Sequence, residues 1–203
     1  MFEYLTYYHK AGTAPFRTLS ELPEAEAIRL MNEQYADDPI QGRFRHPEIH
    51  LRDRNETEKW LREAFVLKEG EPIEPYPIYF VLGAYQDYEA LRTQYQINLL
   101  RIPLSWISDK QISFTFFDSM YSYRLGHDKP PEYYQERYHG IVFTKTEISS
   151  IVQEKRQSGE TWCWGRIPKN YFPFIEAQVW DHHLLTKESA EEYERPRPSD
   201  SGT

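Results

Sequence analysis

The segment 174–180, Phe-Ile-Glu-Ala-Gln-Val-Trp, holds the residue best suited to chemistry. Strand alternation places Ile175, Ala177 and Val179 on one face and Glu176, Gln178 and Trp180 on the other. A carboxylate among apolar neighbours costs free energy unless its face is wet or its charge is paired. On a face lining a cleft, Glu176 could hydrogen-bond a sugar hydroxyl or stabilise positive charge developing at an anomeric carbon. On an open face it is a solvent-facing glutamate of an antiparallel strand. Both readings stand at this point.

His9 ends a strand-like run beside Tyr7 and Tyr8, just before Ala11-Gly12. An imidazole there could bond a ribose or an amide, and the tyrosines could stack on a flat ring; an ordinary surface histidine has the same pattern. The block Ser113-Phe114-Thr115-Phe116-Phe117-Asp118-Ser119-Met120-Tyr121 ends a strand in polar residues and a tyrosine. Such endings line sites and also make turns. Arg101 reads as a structural pairing partner rather than an anion clamp.

The seven histidines invite a metal test, and the spacing argues against a site. His46 and His50 are four apart, but Pro47 opens the helix and leaves His46 at its cap. Glu48 is misplaced for a zinc-protease order. His182 and His183 point to opposite sides if extended. His127 and His139-Gly140 have no partner at ligand spacing. Cys163, between Trp162 and Trp164, lacks an assignable base and reads as a small buried residue. Phosphate-cradling glycine loops and the nucleophile-elbow pattern are absent.

These residues must be positioned by a chain of 203 residues, a length suited to one domain. Rings supply much of the core volume: 16 Tyr, 11 Phe and 5 Trp make 16% of the chain. The net charge of −8 argues against general phosphate binding. The densest basic stretch (Arg43, Arg45, Arg52, Arg54, Lys59, Arg62) alternates with acids and reads as a solvated helix face. Nucleic acid is thus expected only as a substrate at a local patch. No apolar run reaches the roughly 20 residues that span a bilayer. Met1-Phe2-Glu3-Tyr4 lacks the basic flank of a secretory signal, and one cysteine suits a reducing compartment, so a cytoplasmic location without membrane contact is expected.

Strands are expected over 4–9, 78–85, 97–102, 112–116, 141–144 and 174–180. Helices are expected from about Pro23, from Pro47 to about Leu67, and after Thr144. Thr144 and Glu147 fit a capping box. The front of the second helix is polar nearly all round and should project into solvent. Period-two alternation of Ile112, Phe114 and Phe116 with Ser113 and Thr115 predicts strands with one wet face. The fold class is α+β: a mainly antiparallel or split mixed sheet with helices packed on one side. Residues 1–185 read as one globular domain and 186–203 as a polar tail expected to be disordered.

The segments Tyr7-Tyr8-His9-Lys10-Ala11-Gly12, Tyr76-Pro77-Ile78-Tyr79, Ile112-Ser113-Phe114-Thr115, Tyr138-His139-Gly140 and Ile175-Glu176-Ala177-Gln178-Val179-Trp180 together resemble a family of uncharacterised bacterial proteins, which brings no known activity. The order of parts is also similar to ADP-ribosyltransferase-like folds. That likeness implies NAD as co-substrate, Glu176 as the catalytic glutamate, and His9 or Tyr8 as the NAD contact; Gln178, on the face of Glu176, and Tyr121, a ring near a strand end, are expected to bind the cofactor beside them. The departure is the order Glu176-Ala177-Gln178, where many transferases have Gln-x-Glu or Glu-x-Glu; a catalytic register on residue 178 would meet an amide. The expected function is cleavage of the nicotinamide–ribose bond, which requires His9 and Glu176 to face one cleft. The alternative is a non-catalytic module that binds a small ligand or a protein. Nucleotide-type small molecules or a protein partner are the expected ligands, and no metal is expected.

Overall fold

The computed structural model describes residues 3–37, 42, 44–84, 96–158, 174–183 and 185–186. Its elements, in chain order, are β1 (Tyr4–Lys10), α1 (Glu24–Asp37), α2 (Pro47–Val66), β2 (Ile78–Leu82), β3 (Ile97–Pro103), β4 (Ile112–Phe116), α3 (Ser119–Asp128), α4 (Lys145–Ser158) and β5 (Ile175–Val179). The class is α+β. The strands form one sheet in the order β3-β1-β2-β5-β4, and every neighbouring pair is antiparallel.

Local chemistry explains several element ends. Pro47 occupies the first turn of α2, where its missing N–H costs nothing. Asp118 caps α3, its Oδ1 accepting from Tyr121 N at 2.9 Å. The capping box of α4 forms: Thr144 N donates to Glu147 Oε2 at 2.8 Å, and Glu147 N donates to Thr144 Oγ1 at 3.3 Å. Residues 141–144 make only an isolated bridge, Phe143 to Phe114, rather than a strand.

Register assigns the faces. The row Leu5, Leu82 and the row Phe80, Ala177, Phe114 belong to one face, together with Tyr7, Ile112, Ile175 and Val179. This apolar face forms the main core with Ile148 and Val152 of α4 and with Leu104, Ile107 and Leu185. The other face carries the rows Thr6, Val81, Glu176, Thr115 and Tyr79, Gln178, Ser113. It is covered by α2, whose Leu61 and Phe65 pack with Trp180. Helical cover is therefore on both faces rather than one, because both faces of the central strands need burial.

Two expectations about exposure are corrected. The alternate face of β4 and β5 is not wet: Ser113, Thr115, Glu176, Gln178 and Trp180 are all buried. Likewise, the front half of α2 does not project into solvent, for Pro47 and Leu51 are buried and Arg54 is largely covered, as are Thr57 and Glu58 just beyond it. In both places most of the polar groups bond one another in place of water, although Glu58 Oε2 is buried without a hydrogen-bond partner. Cys163, Trp162 and Trp164 lie outside the described residues, as does the tail beyond Thr186.

Candidate functional site

Glu176 sits where β5 begins and β4 gives way to α3. Its side chain points under α2 and is 8% exposed. One carboxyl oxygen, Oε1, accepts from Ser119 N at 3.0 Å and from Gln178 Nε2 at 3.0 Å. The Gln178 amide also donates to Thr115 Oγ1 at 3.0 Å and accepts from Ser113 Oγ at 3.0 Å. Ser113 Oγ in turn accepts from Trp180 Nε1 at 3.0 Å. The result is a side-chain chain of bonds running along one face of the sheet. Burial, and then the Asp118 carboxylate, push the Glu176 pKa up to about 8, against the opposing bonds from Gln178 and Ser119. At neutral pH the group is mostly a neutral acid.

Beside this chain lies a second polar cluster that spacing alone does not single out. Arg54 Nε is 2.9 Å from Ser20 Oγ and 3.0 Å from Glu58 Oε1, and Arg54 NH2 donates to Thr18 Oγ1 at 2.8 Å. Its guanidinium stands 4.7 Å from the Tyr79 ring centroid. The Tyr79 hydroxyl donates to Glu58 Oε1 at 2.9 Å. Burial disfavours the Arg54 charge, but Tyr79, Glu58 and Glu176 outweigh it and hold the pKa above its ordinary value. Burial raises the Tyr79 phenol well above its usual range, with Arg54 opposing. The Arg54–Glu58 pair is an i,i+4 pair of the kind that ordinarily rides a solvated helix surface. Only its placement over Tyr79 buries it.

The residues expected to form one site are partly brought together. Glu176 and Gln178 are, bonded to one another; Tyr121 lies in the first turn of α3, two residues from the Ser119 N–H that Glu176 accepts, but its ring packs with Phe117, Leu125 and Tyr133. Tyr8 shares the face of Glu176, since it follows Thr6 by two, but it lies two strands from β5 and toward the sheet's opposite end. His9 is a correction. Thr6 is in the row of Glu176, so His9, three positions on, falls on the opposite face; its ring stacks on Tyr7 at 5.7 Å. Antiparallel pairing also puts it at the sheet end where β2 begins, whereas Glu176 lies where β2 finishes. One cleft cannot hold both. Arg101 stacks over the Tyr4 ring at 5.2 Å, a structural role.

A different kind of surface occurs at the end of α2. Gly70 folds the chain back so tightly that a Cβ there would lie 2.5 Å from the Phe65 ring. Arg62, one turn before Val66, donates to the carbonyls of Glu74 at 2.6 Å and Pro72 at 3.2 Å, which holds Ile73 beside the helix end. Val66, Leu67 and Ile73 remain 51%, 86% and 53% exposed. Ion pairs Lys68–Glu147 and Lys110–Glu71 flank them.

Among the described residues, no group of three or more His, Cys, Asp or Glu side chains is placed to hold a metal ion. No described helix is long and apolar enough to cross a membrane. Comparison with protein-family models, with curated proteins and with solved structures returns no match, so both sequence resemblances rest on the segments that suggested them.

Proposed function

We propose that this protein is a non-catalytic binding module whose ligand is an apolar segment of a protein partner. The observation that carries this reading is the exposed trio Val66, Leu67 and Ile73, with Leu67 the most exposed large apolar side chain described. Apolar side chains held outward by a tight turn and bordered by paired charges are a common form of protein contact surface. The non-catalytic part is supported by Glu176. Oε1 is engaged by structural donors, and the carboxyl is neutral near pH 7, whereas stabilising an oxocarbenium-like state needs an anion.

The test is a displayed random-peptide library panned against the folded protein. Enriched peptides should be rich in Leu, Phe and Trp, and the double variant Leu67→Ser, Ile73→Ser should lose them while melting as the wild type does. No enrichment, or peptides indifferent to both substitutions, overturns the proposal.

A second reading has its own observation: Glu176 bonds both Gln178 and the Ser119 N–H at the start of α3, the helix that also carries Tyr121. An ADP-ribosyltransferase-like site using NAD could be built on these residues, without His9. Incubation with NAD, followed by a nicotinamide assay, decides it. Release that disappears in Glu176→Gln favours the enzyme; equal background from both proteins leaves the binding module.

A further inference from the structure

The segment after α3 carries a buried histidine that neither reading uses. His139 is 3% exposed, and its Nδ1 accepts from Gln135 N at 3.0 Å. An accepting Nδ1 places the neutral ring's proton on Nε2. Nε2 is itself buried without a hydrogen-bond partner. A second proton would have to go on Nδ1, where it would face the Gln135 N–H. The bond would be lost, and a cation would appear with no acceptor on either nitrogen.

The surroundings offer that cation no counter-charge in contact. Its ring neighbours are Phe117 at 5.2 Å and Tyr134 at 6.4 Å. The titratable and charged side chains on the packed elements are Tyr121, Tyr123, Arg124, His127 and Asp128 of α3, Asp118 and Lys129 at its two caps, and Glu132, Tyr133, Tyr134, Glu136, Arg137 and Tyr138 of its own segment. Glu154 of α4 pairs with Arg137. No carboxylate bonds either ring nitrogen.

What His139 holds is the contact of its turn with α3. The next residue, Gly140, donates its N–H to Ser122 Oγ of α3 at 3.2 Å. Gly140 and Gly126 of α3 meet backbone to backbone: a Cβ on Gly126 would lie 2.3 Å from the Gly140 Cα, and a Cβ on Gly140 2.6 Å from the Gly126 Cα. Such a contact is made or unmade as a unit, because no flexible side chain lies between the backbones. Phe117, at the junction of β4 and α3, has its ring between His139 and Tyr121 and its φ at 64°, a left-handed conformation costly for a large side chain. Phe117, Tyr121 and Leu125 form a small buried cluster separate from the main core.

We propose that the turn 135–140 is an acid-operated clamp on α3, closed while His139 is neutral and opened when its imidazole is protonated, uncovering the apolar cluster of Phe117, Tyr121 and Leu125. Because burial lowers the His139 pKa from 6.5 to about 4, closure is fully supported above pH 6.5 and is lost as pH falls toward 4. Opening at pH 4.5 should then be favoured tens-fold over opening at pH 7.

Hydrogen exchange read by mass spectrometry at pH 7 and pH 4.5, corrected for intrinsic exchange, tests this on the whole chain. The expected result is a loss of protection in α3 and 135–140 at pH 4.5, tens-fold in rate, with β1, β2 and β5 unchanged. His139→Asn keeps an acceptor for the Gln135 N–H but cannot take the proton, so its α3 protection should be the same at both pH values. Equal protection of wild-type α3 at both pH values, parallel loosening of the sheet, or acid loosening that persists in His139→Asn overturns the proposal. Should His139→Asn fail to fold, NMR titration of the wild-type ring replaces it. A His139 midpoint near 4 that coincides with α3 opening supports the clamp, and a midpoint near 6.5 or opening at a different pH overturns it.

Discussion

On one face of the central strands, Ile112, Phe114 and Phe116 meet Ile175, Ala177 and Val179 across the β4–β5 pair. In the alternate positions of the same strands, Ser113, Thr115, Glu176 and Gln178 form a bonded chain that is equally buried. Both faces exclude water, but by different physics. The apolar face gains from non-directional burial and dispersion, so it responds to volume. The polar face gains little net from each bond, since each replaces a bond to water, yet loses heavily when one partner is removed and the other stays buried. Substitutions should therefore be more graded on the first face and more abrupt on the second.

The largest effect expected lies on the polar side. Arg54→Ala leaves Glu58 and the Tyr79 hydroxyl buried around an empty position, and breaking such a pair costs about 3–5 kcal/mol. Urea denaturation measures this. A loss under 1 kcal/mol would show that the cluster behaves like surface charge and would erase the contrast.

Next comes Glu176→Gln, whose effect depends on pH. A carboxyl with a raised native pKa contributes stability fully below its unfolded value of 4.5, and that contribution fades as pH rises through about 8. Between pH 6.5 and 8 the wild type should lose about 2 kcal/mol through this group, and Glu176→Gln should not. Denaturation at the two pH values checks it, and parallel curves for both proteins would refute it. His139 acts in the opposite direction but below pH 6.5, so this window isolates Glu176.

On the apolar face, Ile112→Val removes one methylene from a fully buried site and should cost about 1 kcal/mol with no pH dependence. Smallest of all, Leu67→Ser at the exposed end of α2 should change stability by no more than about 0.5 kcal/mol. A larger loss there would mean that Leu67 packs against something in the isolated protein.

Much of the fold was legible because its signals are local. The Thr144–Glu147 box, the proline opening α2 and the alternation of Ile175 to Val179 each depend on residues within a few positions. The candidate site was legible only in part. Alternation separates Glu176 and Gln178 from Ile175 and Ala177, but it says nothing about whether the polar side meets water or a helix. It also cannot relate Glu176 to His9, whose relative face depends on the pairing of Thr6 with Val81 and of Val81 with Glu176.

By itself, then, the order of residues did not mark α3, and it offered a strand at 141–144 that is only a bridge. It did determine where the five strands and three of the four described helices begin, which positions share a side within one strand, and the α+β class. Those follow from backbone sterics, caps and side-chain periodicity, all short in range. Tertiary structure decided the rest. A one-residue change of register exchanges the two faces of a strand, so His9 and Glu176 were separated by strand pairing alone. A charge tolerates burial only when a partner arrives from elsewhere in the chain, so Arg54 and Glu58 became interior residues only once α2 settled over Tyr79.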